Sequence, residues 1–272
     1  MKTGNFLRGR WVRRLALVGA AVMLVSMNAP AASAKAVFFP EPVANSTLGW
    51  APVGSNGWRR TYFENFSAPL KTSTWGRYDG KSKASSLSSW SRDNVFTSGG
   101  QMLINTVNNG GTWTSGGVSS GEGVIRTQGQ WLVRAKLDKA PGIGFAFLLY
   151  PAGGGWPPEV DFAEGAMGGS RILSTLHYDS DNKRILKYLN DVDLSQWHTY
   201  GVIMYKDTLS YTIDGRIWFQ LQSYGVPKVP MWMGLQTNAK PCDGVNLECV
   251  TAATPRTSSV HIDWAAHYTY VG

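Results

Sequence analysis

The sequence predicts an all-β fold, a sandwich or barrel of antiparallel strands. Three observations carry this. Short runs with period-two alternation recur along the chain, among them 130–138 (QWLVRAKLD) and 216–222 (RIWFQLQ). Clusters of Gly, Ser, Asn and Asp separate these runs. No long segment has the 3.6-residue periodicity of an amphipathic helix. Many short strands punctuated by turns bury their apolar faces as a sandwich or barrel.

The first 34 of the 272 residues read as a leader rather than as part of that fold. Lys2, Arg8, Arg10, Arg13 and Arg14 form a basic start, and 15–27 is apolar and uncharged. Ala32-Ser33-Ala34 is a small-x-small cleavage site, completing the layout of a signal peptide. The apolar run is shorter than the roughly 20 residues that span a bilayer. Arg13-Arg14 is compatible with a twin-arginine export route. Cleavage after Ala34 removes five positive charges and no negative ones, taking the formal charge from +8 to +3. Most of the basicity is therefore leader, and nothing in the remainder points to nucleic acid. No other stretch is long and apolar enough to span a membrane. The expected product is a secreted monomer, extracellular or periplasmic. Residues 35–272 suit a single domain, because no linker tract or internal repeat divides them.

Within that domain strands are expected at 60–66, 101–107, 130–138, 143–150, 171–179, 198–205, 209–214, 216–222, 230–237 and 258–271. Asp214-Gly215 marks a tight hairpin, since both residues tolerate positive φ. Two stretches, 80–91 (Ser- and Lys-rich) and 108–123 (Gly- and Ser-rich), read as loops, either plain connectors or the rim of a binding site. Cys242 and Cys249 are expected to close a short loop by a disulfide in an exported protein. The rival reading is a metal pair, but no His neighbours them and two thiols alone hold metal poorly.

The most informative stretch is WPPEVDFAEG, Trp156 to Gly165. Its apolar residues ask for a buried strand, yet it carries Glu159, Asp161 and Glu164. Burying ionised carboxylates is costly, so stability does not explain three of them. A regular strand puts Glu159 and Asp161 on one face and Glu164 on the other. A β-bulge between Asp161 and Glu164 adds a residue and brings all three to one face, with Val160 and Phe162 packed behind. Acids so close cannot all ionise, so at least one pKa rises. One carboxylate beside one carboxylic acid is what glycoside hydrolysis requires. The ends of the cluster have backbones on the order of 13 Å apart, so their side chains must lean together to form a retaining pair at about 5–5.5 Å. Two other readings stay open: a Ca²⁺ site and a solvated strand face.

The E-x-D-x-x-E strand after a Trp-Pro approach resembles the active-site strand of glycoside hydrolase family 16, of laminarinase and lichenase type. STWGRYDG (73–80), NVFTSGGQMLI (94–104), IRTQGQWLVRAKL (125–137), TLHYDSDN (175–182), SQWHTYGVIM (195–204) and YTIDGRIWF (211–219) match family-like segments in the same order. The resemblance implies a concanavalin A-like jelly roll, two curved antiparallel sheets with a substrate cleft. It implies a retaining endo-acting glycanase in which Glu159 is the nucleophile, Asp161 assists and Glu164 is the acid/base. It also places Trp156, His177, Arg126, Trp113 and Gln236 as candidate substrate contacts. Trp156 enters the catalytic strand, Trp113 sits on the Gly-rich loop, and His177 can bond a substrate hydroxyl or Asp161. Trp197 resembles a structural position. Ala163 and Phe147 stand where larger residues, Met and Trp, are common, which would reshape sugar subsites. No cofactor is required. Some relatives carry a structural Ca²⁺, for which Asp263 and the carbonyl of Gly100 are the candidate ligands here.

The expected function is hydrolysis of β-1,3- or mixed β-1,3/1,4-glucan, with polysaccharide as the partner and no nucleic acid or membrane. The family also includes galactanases and transglycosylases. A non-catalytic lectin on the same sandwich is the alternative, and the intact acid triad weighs against it. A structural cell-surface protein is a third reading, which the absence of repeats disfavours.

Overall fold

The structure, a computed structural model, describes residues 57–242 and 248–272. The expected leader, 1–34, lies outside the described residues. In chain order the strands are β1 (Trp58–Glu64), β2 (Gly76–Arg77), β3 (Ser88–Trp90), β4 (Val95–Ser98), β5 (Gln101–Asn109), β6 (Thr112–Ser115), β7 (Gly117–Ser119), β8 (Ile125–Arg126) and β9 (Gly129–Leu137). They continue as β10 (Ile143–Pro151), β11 (Glu159–Ala166), β12 (Ile172–Tyr178), β13 (Lys183–Leu189), β14 (His198–Tyr205), β15 (Thr208–Ile213), β16 (Arg216–Gln222), β17 (Met231–Ala239) and β18 (Thr257–Tyr270). One 3₁₀ turn, Arg92–Asn94, precedes β4.

Two sheets result. The first runs β16-β15-β14-β9-β18-β5-β6-β3, with β1 added on β18 and β4 on β5. The second runs β13-β12-β11-β10-β17-β7-β2, with β8 added on β17. Among the described residues every strand pairing is antiparallel except β3 with β6. The chain is the antiparallel jelly roll expected from its alternation and turns.

The core is built from both sheets. Trp131, Val133, Tyr200 and Val202 from the first meet Phe145, Phe147, Val160, Phe162 and Leu235 from the second, all buried. Phe147 bridges the layers, its ring 5.5 Å from Tyr200 and 6.1 Å from Phe162. Each such side chain contributes about 1.5–3 kcal/mol by leaving water. A smaller cluster of Trp58, Leu132, Trp264 and Tyr268 packs separately from this core.

The Asp214-Gly215 hairpin forms as expected. Ile213 pairs with Arg216, and φ is +49° and +78° at the two turn residues, the signature of a type I′ turn. Cys242 and Cys249 form the expected disulfide. The two stretches read as loops are more ordered than that: 108–123 contains β6 and β7, and 80–91 contains β3. Gly and Ser lower strand propensity, so composition hid three short strands there. β13 was also not read as a strand. It is the edge of its sheet, and its Lys and Arg residues mask the alternation while protecting the edge from further pairing.

Candidate active site

Four neighbouring strands, β12-β11-β10-β17, carry a cleft of about 690 Å³ on the face turned away from the core. Its acids come from β11, and the expected bulge is what delivers them. Against β12, Asp161 pairs with Thr175 and Glu164 with Leu173, so three steps on β11 answer two on its partner. Against β10, Phe147 pairs with Ala163 and Leu148 with Asp161, skipping Phe162. The extra residue sends Phe162 and Ala163 both into the core and turns Glu164 back to the cleft beside Glu159 and Asp161. The Ser174 hydroxyl donates a 2.9 Å hydrogen bond to the Phe162 carbonyl at the bulge. Buried Ser174 thus satisfies an acceptor inside the irregular stretch.

The acids are held by a hydrogen-bond chain. Trp156 Nε1 donates to Glu159 Oε2 at 2.6 Å. Asp161 Oδ2 lies 3.2 Å from His177 Nε2, and His177 Nδ1 donates to Asn182 Oδ1 at 2.7 Å. Asn182 sits in the β12–β13 turn with φ +52°. That turn therefore fixes the imidazole so that Nε2 faces the acids.

Burial raises all three carboxyl pKa values. Burial pushes Asp161 up to about 7; the His177 bond opposes this, and the charges of Glu164 and Glu159 add to it. Burial also raises Glu159, against the Trp156 hydrogen bond and the His177 charge. Glu164 is raised by burial, lowered by Lys240 and raised again by Glu159. His177 is raised chiefly by its bond to Asp161. Asp161 and His177 therefore share one proton between Oδ2 and Nε2 and titrate as a pair. Near neutral pH the cluster holds both a carboxylate and a proton donor.

Of the expected substrate contacts, Trp156, His177 and Gln236 line the cleft. Trp113 does not. It is largely buried, 7% exposed, on β6 opposite Ser88, and it lines a second cavity beside the cleft. Its position among glycines suggested exposure, but the strand turns it inward. Arg126 is also elsewhere: it lies on β8, its Nη1 donates to the Ile125 carbonyl, and its charge acts on buried His267. Ala163 and Phe147 face the core, so they do not shape the sugar surface as expected. Trp197 is half-buried under the cations of Arg134 and Lys136, consistent with a structural place.

The expected calcium ligands, Asp263 and the Gly100 carbonyl, lie on β18 and in the turn before β5. Asp263 Oδ2 takes a 3.2 Å ion pair from Arg134, so the positive charge it faces is already supplied by protein. Gly100 closes the β4–β5 turn with φ +73°. Glu159, Asp161 and His177 do bring one ligand atom each within 4.8 Å of one another. Their protons and hydrogen bonds are already shared among Trp156, His177 and Asn182, a set suited to acid–base work rather than to a hard cation.

Sequence reasoning missed the aromatic floor of the cleft. Tyr150 on β10 pairs with Trp232 on β17, their rings 5.3 Å apart, and Tyr78 packs on Trp90 at 4.8 Å. Trp232 shares strand parity with Gln236, and that alternation was the available signal. Gly234 lies between them, and a Cβ there would meet the Trp232 ring at 3.0 Å and Leu148 at 2.9 Å. Glycine makes room for the aromatic. Lys83, Asn238 and Lys240 complete one end of the cleft.

Comparison with known proteins agrees with this geometry. The chain is 31% identical over 109 residues to endo-1,3-1,4-beta-glycanase ExsH of Rhizobium meliloti (strain 1021), covering 39% of this chain and 23% of that protein. It is 29% identical over 118 residues to endo-1,3-1,4-beta-glycanase EglC of the same organism, covering 42% and 25%. The match thus spans about a quarter of the length of these curated relatives. The fold superposes on the catalytic domain of an endo-1,3-beta-glucanase (laminarinase) from Thermotoga petrophila RKU-1. The TM-score there is 0.68 at 17% identity, over 79% of this chain and 99% of that one. An endo-beta-1,3-glucanase from Pyrococcus furiosus gives 0.68 at 18% identity, over 79% and 95%. The sequence pattern named Glycosyl hydrolases family 16 matches residues 82–266, which include every strand from β3 to β17 and all three acids of the bulged strand. With that match over more than half of its length, the chain belongs to glycosyl hydrolases family 16.

Proposed function

We propose that this chain is a secreted endo-β-glycanase acting with retention on β-1,3- or mixed β-1,3/1,4-glucan. The observation that carries the reading is the bulge in β11, which turns Glu159, Asp161 and Glu164 into one cleft. Both Rhizobium relatives are named as endo-1,3-1,4-beta-glycanases, which supports the substrate class.

In the mechanism, Glu159 is the nucleophile. The Trp156 N–H and the His177 charge favour its carboxylate form against burial. Glu164, raised by burial, keeps the proton it delivers to the glycosidic oxygen. As that bond breaks, a Glu159 oxygen bonds the anomeric carbon and a glycosyl ester forms. Glu164, now ionised, takes a proton from water, the water oxygen attacks the same carbon, and Glu159 leaves as carboxylate. Asp161 passes its shared proton toward Glu159 or His177 as the charge on Glu159 rises and falls.

A polysaccharide panel with product sizing tests the reading. Internal cleavage of a β-glucan, with a β-configured first product by NMR, is expected. Glu159→Gln and Glu164→Gln should each cost on the order of 10³-fold or more in turnover while leaving glycan binding. Wild-type turnover by Glu159→Gln would overturn the nucleophile, and an inverted product would overturn retention. Binding without reducing ends from any β-glycan would favour a lectin, and larger products would favour a transglycosylase.

A further inference from the structure

Beside the cleft a second cavity of about 640 Å³ opens, sharing Lys83, Ala84, Asn238 and Lys240 with it. Three lysines line it, Lys81, Lys83 and Lys240, and among the described residues no Asp or Glu does. No ion pair joins Lys81 or Lys83 to an acid among the described residues. Three like charges at one cavity repel each other, so folding alone gives no reason for them.

The cavity is built rather than left over. Its floor is the end of β17, and the segment 81–89 is stapled onto that end by its own serines. Ser85 Oγ donates to the Ala239 carbonyl at 2.6 Å, and the Ala239 N–H donates to Ser88 Oγ at 3.3 Å. Ser82 Oγ accepts from the Ala84 N–H at 3.1 Å, turning the chain between the two lysines. Lys240 is anchored on both sides: its N–H donates to the Gly142 carbonyl, and its carbonyl accepts from the Val250 N–H. Its stem crosses Gly144, where a Cβ would stand 2.8 Å from Lys240 Cε. Glycine on β10 thus lets the lysine reach along the sheet toward Glu164. There its charge acts on the Glu164 carboxyl and reaches the second cavity as well.

Lys83 and Lys240 line both cavities, so the two are open to one polysaccharide lying across the acids. A neutral sugar chain gains little from the ammonium groups of Lys81 and Lys83, whereas an anionic group gains charge-assisted hydrogen bonds. We propose that Lys81, Lys83 and Lys240 form a subsite for an anionic substituent, a carboxylate or a sulfate half-ester, carried by the glycan a short distance from the scissile bond. This rests on the endo-glycanase reading and narrows its substrate class to acidic polysaccharides.

The test compares a neutral β-1,3-glucan with its carboxymethylated and sulfated derivatives. Wild-type protein should favour at least one anionic form in kcat/KM by about tenfold, and which form gains identifies the substituent. The preference should fall toward unity in Lys81→Gln/Lys83→Gln and in high salt. Equal use of all three glycans, or a preference unchanged in the double variant, would overturn the proposal. Calorimetric binding of the same glycans to Glu159→Gln, with and without the lysine changes, reads the subsite without turnover. No hydrolysis of any of the three, with anionic binding that the lysine changes abolish, would sink the glycanase reading and keep the subsite. Equal binding of neutral and anionic forms would sink the subsite alone.

Discussion

Trp156 Nε1 donates a 2.6 Å hydrogen bond to Glu159 Oε2, so the ring that opens the catalytic strand also holds its first carboxylate. Trp156→Phe keeps an aromatic face and removes the donor. Burial then raises the Glu159 pKa with only the His177 charge opposing it. The proposed nucleophile must be ionised, so the acid limb of the kcat/KM profile should move to higher pH. A hydrogen bond to a charged group contributes about 1.5–3 kcal/mol, so the rate at low pH should fall roughly tenfold or more. An acid limb that stays in place would show that Trp156 does not set the Glu159 charge.

Asp161 makes stability depend on pH in a stated direction. Its folded pKa is raised to about 7 from an ordinary 3.8. Between those values the folded state binds more protons than the unfolded, so stability falls as pH rises through this window. His177, also raised, acts in the same sense. Buried His267 acts oppositely: its pKa is pushed down to about 4, so its contribution is complete above 6.5 and is lost as pH falls. Asp161→Asn removes the first effect and weakens that of His177, while raised Glu159 and Glu164 and lowered His267 stay in place. Thermal unfolding of wild type at pH 5.5 and pH 8 should therefore differ in a way that the variant does not share, the variant gaining relative stability at pH 8. An identical pH dependence in both proteins would show that Asp161 is not the group responsible.

How much was legible beforehand follows from the range of each signal. The Asp214-Gly215 turn and the β11 bulge are local: one needs two residues that tolerate positive φ, the other only a break in period two. The catalytic face could therefore be read from the spacing of three acids. Asn182 could not, because its bond to His177 depends on how the β12–β13 turn closes. Trp113 and Arg126 fall outside the acid cleft for a related reason. Gly-rich flanks hid the strand that turns Trp113 inward, and the short β8 strand carries Arg126 outside the cleft. The aromatic pair Tyr150 and Trp232 meets only across β10 and β17, so strand order was needed to see it.

That pair forms a platform in the cleft; Tyr150 feels the Glu159 charge, while Trp232 stands on β17, one strand farther from β11, so Trp232 should act on binding more than on chemistry. Trp232→Ala removes a large face that a sugar ring can cover. Losing about 1.5–3 kcal/mol of apolar contact should raise KM about tenfold or more with kcat within about twofold. Steady-state kinetics on oligosaccharides of increasing length check this, with the penalty growing once the chain is long enough to reach Trp232. A loss confined to kcat would place Trp232 in the chemistry instead.

Ser174 tests whether the bulge itself is held by a side chain. Its hydroxyl donates to the Phe162 carbonyl at 2.9 Å, and both residues are fully buried. Ser174→Ala leaves that carbonyl without this donor in a dry core, at a cost of about 1–3 kcal/mol. In a protein of this size each kcal/mol lowers Tm by roughly 2–4 °C. Relaxing the bulge also lets Phe162 and Ala163 shift, and Glu164 moves with them. A drop in Tm should therefore come with a drop in kcat. Ser174→Thr, which keeps the hydroxyl, should restore kcat more fully than Tm, since its extra methyl must still be packed. If Ser174→Ala lowered Tm but left kcat untouched, the bulge would be held by its flanking strands alone, and Ser174 would serve stability without aiming the acid.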